Sequence, residues 1–151
     1  MQPDTIECKT SRFGLFSIRA DRVITFEKGL IGFPEAKKFC ILEPKEDCAF
    51  FWMQSMEDPE LAFVVTDPAI FLPHYQVKIE SDDLKDIGVK DLSDTQTFVV
   101  VNKVEKKMTG NCASPLIINT LNAQGIQILL STKEWGVRET LLDLGRVKTR
   151  V

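Results

Sequence analysis

Thr97-Phe98-Val99-Val100-Val101-Asn102-Lys103-Val104 is the stretch on which the fold turns. Its aromatic and β-branched residues in an unbroken row fit a pleated, well-buried strand better than a helix. Outward from it the same kind of run recurs. Leu61–Thr66 and Ala49–Met53 lie upstream, with Phe39–Leu42 and Val23–Phe26 before them. Leu116–Asn119 and Ile126–Leu130 lie downstream, around Thr120–Gly125. At the start, Ile6–Thr10 and Gly14–Ile18 flank Ser11-Arg12-Phe13 and read as a hairpin. Strands about every 10–15 residues with turn signals between them mark a sandwich or barrel. The expected fold is mainly β, a single antiparallel, barrel-like domain with one or two short helices.

The helix signals are local. Pro34-Glu35-Ala36-Lys37-Lys38 has Pro where a first helical turn tolerates it. Ser81-Asp82-Asp83-Leu84-Lys85-Asp86-Ile87-Gly88 offers Ser81 as a cap, acids in the first turn and Gly88 as a stop. Leu84 and Ile87 would then dock on the sheet.

The chain's 151 residues make one domain. A chain of that size buries roughly 68–70% of its unfolded surface and needs no disulfide or metal to fold. Ten Phe against one Tyr and two Trp imply a core of rings without polar handles. Apolar runs of five residues, such as Leu61–Val65, fall far short of the roughly 20 needed to span a bilayer. The polar, acidic start is not a signal peptide, so a cytoplasmic location is expected. The four cysteines, at 8, 40, 48 and 112, contain no C-x-x-C pair and are expected to be thiols. No cofactor or metal is expected.

Chemistry-bearing motifs are scarce. There is one histidine, His74, and no G-x-S-x-G, P-loop or G-x-G-x-x-G pattern. Asp58-Pro59 and Asp67-Pro68 read as turn starters rather than an acid/base pair. More informative is Ile70-Phe71-Leu72, bounded by Pro68 and Pro73, which fits an edge or loop rather than a central strand. Ile70, Phe71 and Tyr75 are therefore candidate apolar anchors for a partner. Phe33, delivered by a turn that Gly29 and Gly32 relieve, is either a core plug, as burial statistics for Phe favour, or an exposed anchor. Charge is segregated. Residues 1–95 hold 11 basic and 18 acidic side chains, net −7, and residues 96–151 hold 8 and 4, net +4. The acidic half disfavours direct nucleic-acid binding and suits a basic protein.

Several segments together resemble one family, the bacterial flagellar assembly factor FliW, over roughly residues 5–142. Phe26-Glu27-Lys28-Gly29-Leu30-Ile31-Gly32-Phe33-Pro34-Glu35 resembles that family's F-x-x-G-L-x-G-F-P-E. Phe51-Trp52-Met53-Gln54-Ser55 with Asp58-Pro59, and Leu61-Ala62-Phe63-Val64-Val65 with Asp67-Pro68, resemble two further blocks. Met108-Thr109-Gly110-Asn111, Pro115-Leu116-Ile117-Ile118-Asn119 and Gly125-Ile126-Gln127-Ile128 extend the match. Cys112, Ser114, Trp135, Glu139 and Thr140 depart from it. On this resemblance residues 1–142 form a FliW-like β domain and 143–151 a basic tail, expected to be flexible.

The resemblance implies a non-enzymatic regulator, monomeric on its own, that binds flagellin. It also implies binding to CsrA, a small basic RNA-binding dimer that represses flagellin messenger RNA. Carboxylates at Glu57, Asp58, Asp82, Asp83 and Asp86 are then candidate contacts for the basic partner, beside Phe33, Ile70, Phe71 and Tyr75. Two rival readings remain at this level: a small barrel that binds an apolar ligand inside a Phe-lined cavity, and a hydrolase built around His74.

Overall fold

A computed structural model describes residues 4–44, 46 and 48–146. A hairpin of β1 (Thr5–Thr10) and β2 (Gly14–Arg19) forms its own two-stranded sheet, packed on one large sheet through contacts such as Phe13 with Trp52. The sheet contains β3 (Ile24–Thr25), β4 (Lys38–Leu42), β5 (Phe50–Ser55), β6 (Ala62–Thr66), β7 (Thr95–Val104), β8 (Lys107–Gly110), β9 (Leu116–Asn119), β10 (Gln124–Gln127) and β11 (Glu139–Asp143). One α-helix, α1, covers Ser81–Asp86.

The stretch around Val99 organises the sheet because β7 has three partners. Thr95–Phe98 pair with β9, Val99–Val101 with β6, and Val101–Val104 with β8. The β9 pairing closes a ring in the order β3-β4-β5-β6-β7-β9-β10, and β8 and β11 branch from it. Closure removes the open edges of the ring strands, leaving β11 as the edge of the branch. The last link, Gln124 opposite Thr25, is parallel, and it qualifies an otherwise antiparallel barrel-like sheet.

The two faces of β7 are both covered, which explains its continuous apolar run. Phe98 and Val100 turn toward the ring's interior with Phe26, Leu30, Phe39, Met53, Val65, Leu116 and Ile118. Edge-on contacts of Phe26 with Phe39 (5.8 Å) and Phe51 with Phe98 (5.9 Å) pack rings together in that interior, as the phenyl-rich composition implies. Val99 faces outward onto Tyr75 and Cys112. Beside it, Ile87 at the end of α1 packs on Ile117, Ile126 and Ile128. The helix stops where Gly88 takes φ +69°, with Gly88 N–H donating to Lys85 O (3.0 Å) and Val89 N–H to Leu84 O (2.8 Å).

Four expectations are corrected. Residues 34–38 form a turn leading into β4 rather than a helical turn, because Lys38 is already paired with Thr25. Glu80, not Ser81, occupies the N-cap of α1, and it makes no side-chain cap bond. The strand expected over Ile126–Leu130 ends at Gln127, although Ile128 and Leu130 N–H still donate to Pro115 O and Ala113 O. The chain also remains structured past residue 142. Asp143 ends β11, Leu144–Arg146 form a 3-10 turn, and Leu144 N–H donates to Lys106 O (2.7 Å). The rest of the expected tail, 147–151, lies outside the described residues.

Cys8, Cys40 and Cys112 are buried free thiols and Cys48 is a half-buried one. Burial pushes Cys40 and Cys112 up to about 12, so both stay protonated at neutral pH. Two outcomes are expected. A reductant should leave the melting temperature unchanged; a drop of several degrees would reveal a bridge. Gly125→Ala should lower it, because the added Cβ would lie 2.6 Å from the Phe26 ring. Overpacking of this kind costs about 1–3 kcal/mol, and differential scanning calorimetry would read it directly.

Candidate functional site

The segment after β3 is held to the barrel by the buried Phe26 ring and by Phe26 N–H donating to Lys37 O (2.7 Å). Between these anchors the chain makes a tight turn. Leu30 and Phe33 exchange backbone hydrogen bonds (3.0 and 2.8 Å), and Gly32 at the third position has φ +86°. Gly29 has φ +68°, and a Cβ there would sit 2.3 Å from Pro34 O. Only glycine allows that approach. Leu30 points inward and is buried. Ile31 is left 56% exposed and Phe33 43% exposed, with Phe33 edge-on to Phe63 at 5.3 Å. Phe33 is therefore exposed and not a core plug. Ile31, at the tip, was not singled out from sequence; an apolar residue immediately before the turn glycine is the signal that marks it.

A bowl of about 400 Å³ lies beside this turn, lined by Phe33, Pro34 and Leu61 and by Glu35, Glu57 and Asp58. Its acidic wall is built by turn chemistry. The buried Gln54 amide donates to Asp58 O (3.3 Å) and Leu61 O (3.2 Å). Ser55 Oγ accepts from Glu57 N (3.1 Å) and Asp58 N (2.9 Å). Asp58 Oδ1 then accepts from Glu60 N (3.0 Å). Glu57 Oε1 crosses to the other side of the bowl, where it accepts from Lys37 N and Lys38 N, each at 3.0 Å. Those two N–H donors hold the Glu57 carboxyl below its ordinary range.

Helix α1 reaches the same segment from the opposite side. Asp86 Oδ2 is 2.7 Å from Lys28 Nζ, next to Gly29. Asp82 and Asp86 are exposed and Asp83 is half-buried. The Lys28 ammonium is held above its ordinary range, chiefly by its hydrogen bond to Asp86. One of the three helix acids is thus already paired.

The Pro-bounded loop sits elsewhere, and it divides. Asp67 caps the 3-10 turn Pro68–Ile70 by accepting from Ala69 N (2.9 Å). Ile70 is 56% exposed, while Phe71 is half-buried and stacked on Phe50 at 5.4 Å. Tyr75 is buried, contrary to its reading as a surface anchor. Its hydroxyl donates to Cys112 O (2.8 Å) and its ring meets Trp135 edge-on at 4.8 Å. Burial drives the phenol pKa upward. A tyrosine whose one polar atom finds a carbonyl is readily buried. Phe33, Glu57 and Asp58 are thus brought together, Asp86 of α1 is tied to the same loop through Lys28, and Ile70 and Phe71 form a separate patch. His74 is exposed.

Comparison with known proteins places this geometry. The FliW protein family model matches residues 7–141. The chain is 36% identical over 141 residues to the flagellar assembly factor FliW of Caldanaerobacter subterraneus subsp. tengcongensis, covering 91% of this chain and 94% of that protein. It is 34% identical over 146 residues to the flagellar assembly factor FliW of Leptospira interrogans serovar Lai, covering 95% and 97%. A crystal structure of the flagellar assembly factor FliW superposes with TM-score 0.84 at 25% identity, covering 94% of this chain and all of that one.

The lowered pKa of Glu57 carries a sign that can be checked. Its stabilising contribution is complete above the unfolded value of about 4.3 and is lost as pH falls through the lower folded value. Glu57→Gln should therefore melt below the parent at neutral pH, with the gap closing under acid conditions. A gap of constant size across pH would show that the charge plays no part.

Proposed function

The chain belongs to the FliW family, and from that premise we propose that it is a cytoplasmic, non-enzymatic flagellar assembly factor that alternates between flagellin and CsrA. While flagellin occupies it, CsrA represses flagellin messenger RNA. When flagellin is exported, the freed factor captures CsrA and lifts the repression. The observation that carries this reading is the glycine-built turn, which leaves Ile31 and Phe33 exposed beside Glu35, Glu57 and Asp58. An apolar anchor with a carboxylate surround suits a basic protein that presents Lys and Arg for phosphates. Ile70 and Phe71 supply a second apolar contact in this proposal, with Phe71 held against Phe50.

The inhibition of CsrA is proposed to be adjacent docking rather than mimicry of RNA. Carboxylates on short turns are a poor copy of a phosphate strand, and Glu57 already spends one oxygen on backbone N–H groups. Docked beside the RNA surface, Asp82, Asp83 and the bowl acids would repel the phosphate backbone through their combined field. Each exposed contact is worth little alone. Their sum acts on association rate and fades with salt, as the Debye length falls from ~10 Å at 0.1 M to ~3 Å at 1 M.

A titration of CsrA and labelled RNA with this protein tests both parts. Phe33→Ala should weaken CsrA binding roughly thirtyfold, the ~2 kcal/mol of a central anchor, while its melting stays near the parent's because the side chain is half in solvent. Asp82/Asp83/Asp86→Asn should still bind CsrA but displace RNA less well. Binding and displacement falling in equal proportion would favour direct cover instead. Unchanged binding by Phe33→Ala would remove the bowl from the interface.

A further inference from the structure

The basic half of the chain, net +4 over residues 96–151, has no part in the reading above. Much of that charge gathers where β8 and β11 leave the ring. A groove of about 510 Å³ opens there between the end of β7 and residues 137–138. Val100, Val104 and Val137 give it apolar walls, and Lys103 and Arg138 give it two cations. No carboxylate lines it. Both cations are exposed, and neither takes part in the ion pairs found among the described residues, which are Arg19–Asp21 and Lys28–Asp86. Glu139, the acid next to Arg138, is engaged by Gly136 N–H (2.8 Å). The groove is also lined by Asn111, whose side-chain oxygen is buried with no hydrogen-bond partner.

We propose that this groove docks an extended, acidic protein segment that carries a branched aliphatic side chain. The segment's carboxylates meet Lys103 and Arg138, and its aliphatic group packs on Val104 and Val137. Charge complementarity selects the occupant: among the described residues neither cation is in an ion pair, and no carboxylate lines the groove. A nucleic-acid strand fits less well, because no aromatic ring lines the groove for a base to stack on. Strand addition along β11 is also disfavoured, since the register of that edge breaks between Thr140 and Leu142. The acids of the Phe33 bowl would repel the same segment, so the two surfaces sort partners by sign. This proposal does not depend on the identity of the partners named above.

The test uses the full ¹⁵N-labelled chain and a fluorescein-labelled peptide of alternating Glu and Val. Saturable binding is expected, with amide shifts clustered at 100–104, 109–111 and 137–138. Lys103→Glu/Arg138→Glu should weaken it at least tenfold at an unchanged melting temperature, while Lys133→Glu, outside the groove, leaves it as it was. A Lys/Val peptide should not bind. The proposal is overturned if the Glu/Val peptide does not bind at millimolar concentration, if the shifts fall elsewhere, or if the double variant binds as the parent does. It is equally overturned if a uridine decamer binds the parent more tightly than the peptide and loses that binding in the double variant, which would make the groove a nucleic-acid site.

Discussion

One strand with three neighbours holds this structure together. β7 is long enough to pair with β9 at its start, β6 in its middle and β8 at its end, and the first of these pairings turns an open sheet into a ring. Such sharing requires a strand buried on both faces, because the ring interior takes Phe98 and Val100 while the outer layer takes Val99. An alternating strand could not meet that demand, since a polar residue at every second position would be buried without partners. The unbroken row Phe98-Val99-Val100-Val101 is the composition that the topology needs. A charged substitution at Val99 would be felt in the outer layer, the ring and the branch at once.

The exposed turn depends on the same core. Phe26 fills the ring against Phe39 and also lies against Gly125 of β10, so the residue that opens the Phe26–Glu35 segment is fixed before the segment leaves the barrel. Gly29 then packs against Pro34 O more closely than any side chain permits. The turn can therefore present Ile31 and Phe33 outward without being loose. Rigid presentation of an apolar group lowers the ordering cost of binding.

How much of this was legible in the sequence differed by element, for physical reasons. The hairpin β1–β2 and most barrel strands were readable because their apolar runs and turn residues are local signals. Strand β8 was not, because its hairpin turn uses Glu105 at φ +56° where Asn or Gly is the usual signal. Strand β11 was hidden by polar and acidic residues at both ends. The helical reading of residues 34–38 weighed a favourable Pro but could not see that Lys38 was committed to pairing with Thr25. Ring closure rests on single-residue registers between segments far apart in sequence, such as Gln124 with Thr25, and no local pattern encodes that. At the site, Phe33, Glu57 and Asp58 were individually visible, but their convergence on one bowl was not. Tyr75 was misplaced because the carbonyl of Cys112, 37 residues away, decides whether its hydroxyl can be buried.

The charge segregation follows from the topology as well as from composition. Glu57 and Asp58 sit on the β5–β6 connection, Glu35 on the β3–β4 connection and the α1 acids on the crossover before β7, whereas Lys103 lies at the end of β7 and Arg138 just before β11. The two cations of the groove thus lie where the branch leaves the ring, away from the bowl acids in the chain's topology. Opposite charges held apart on a closed scaffold cannot collapse onto one another, as they would on a flexible chain, so both stay available to partners. Each surface keeps its own sign, and neither must be uncovered before it can meet a partner of the opposite charge.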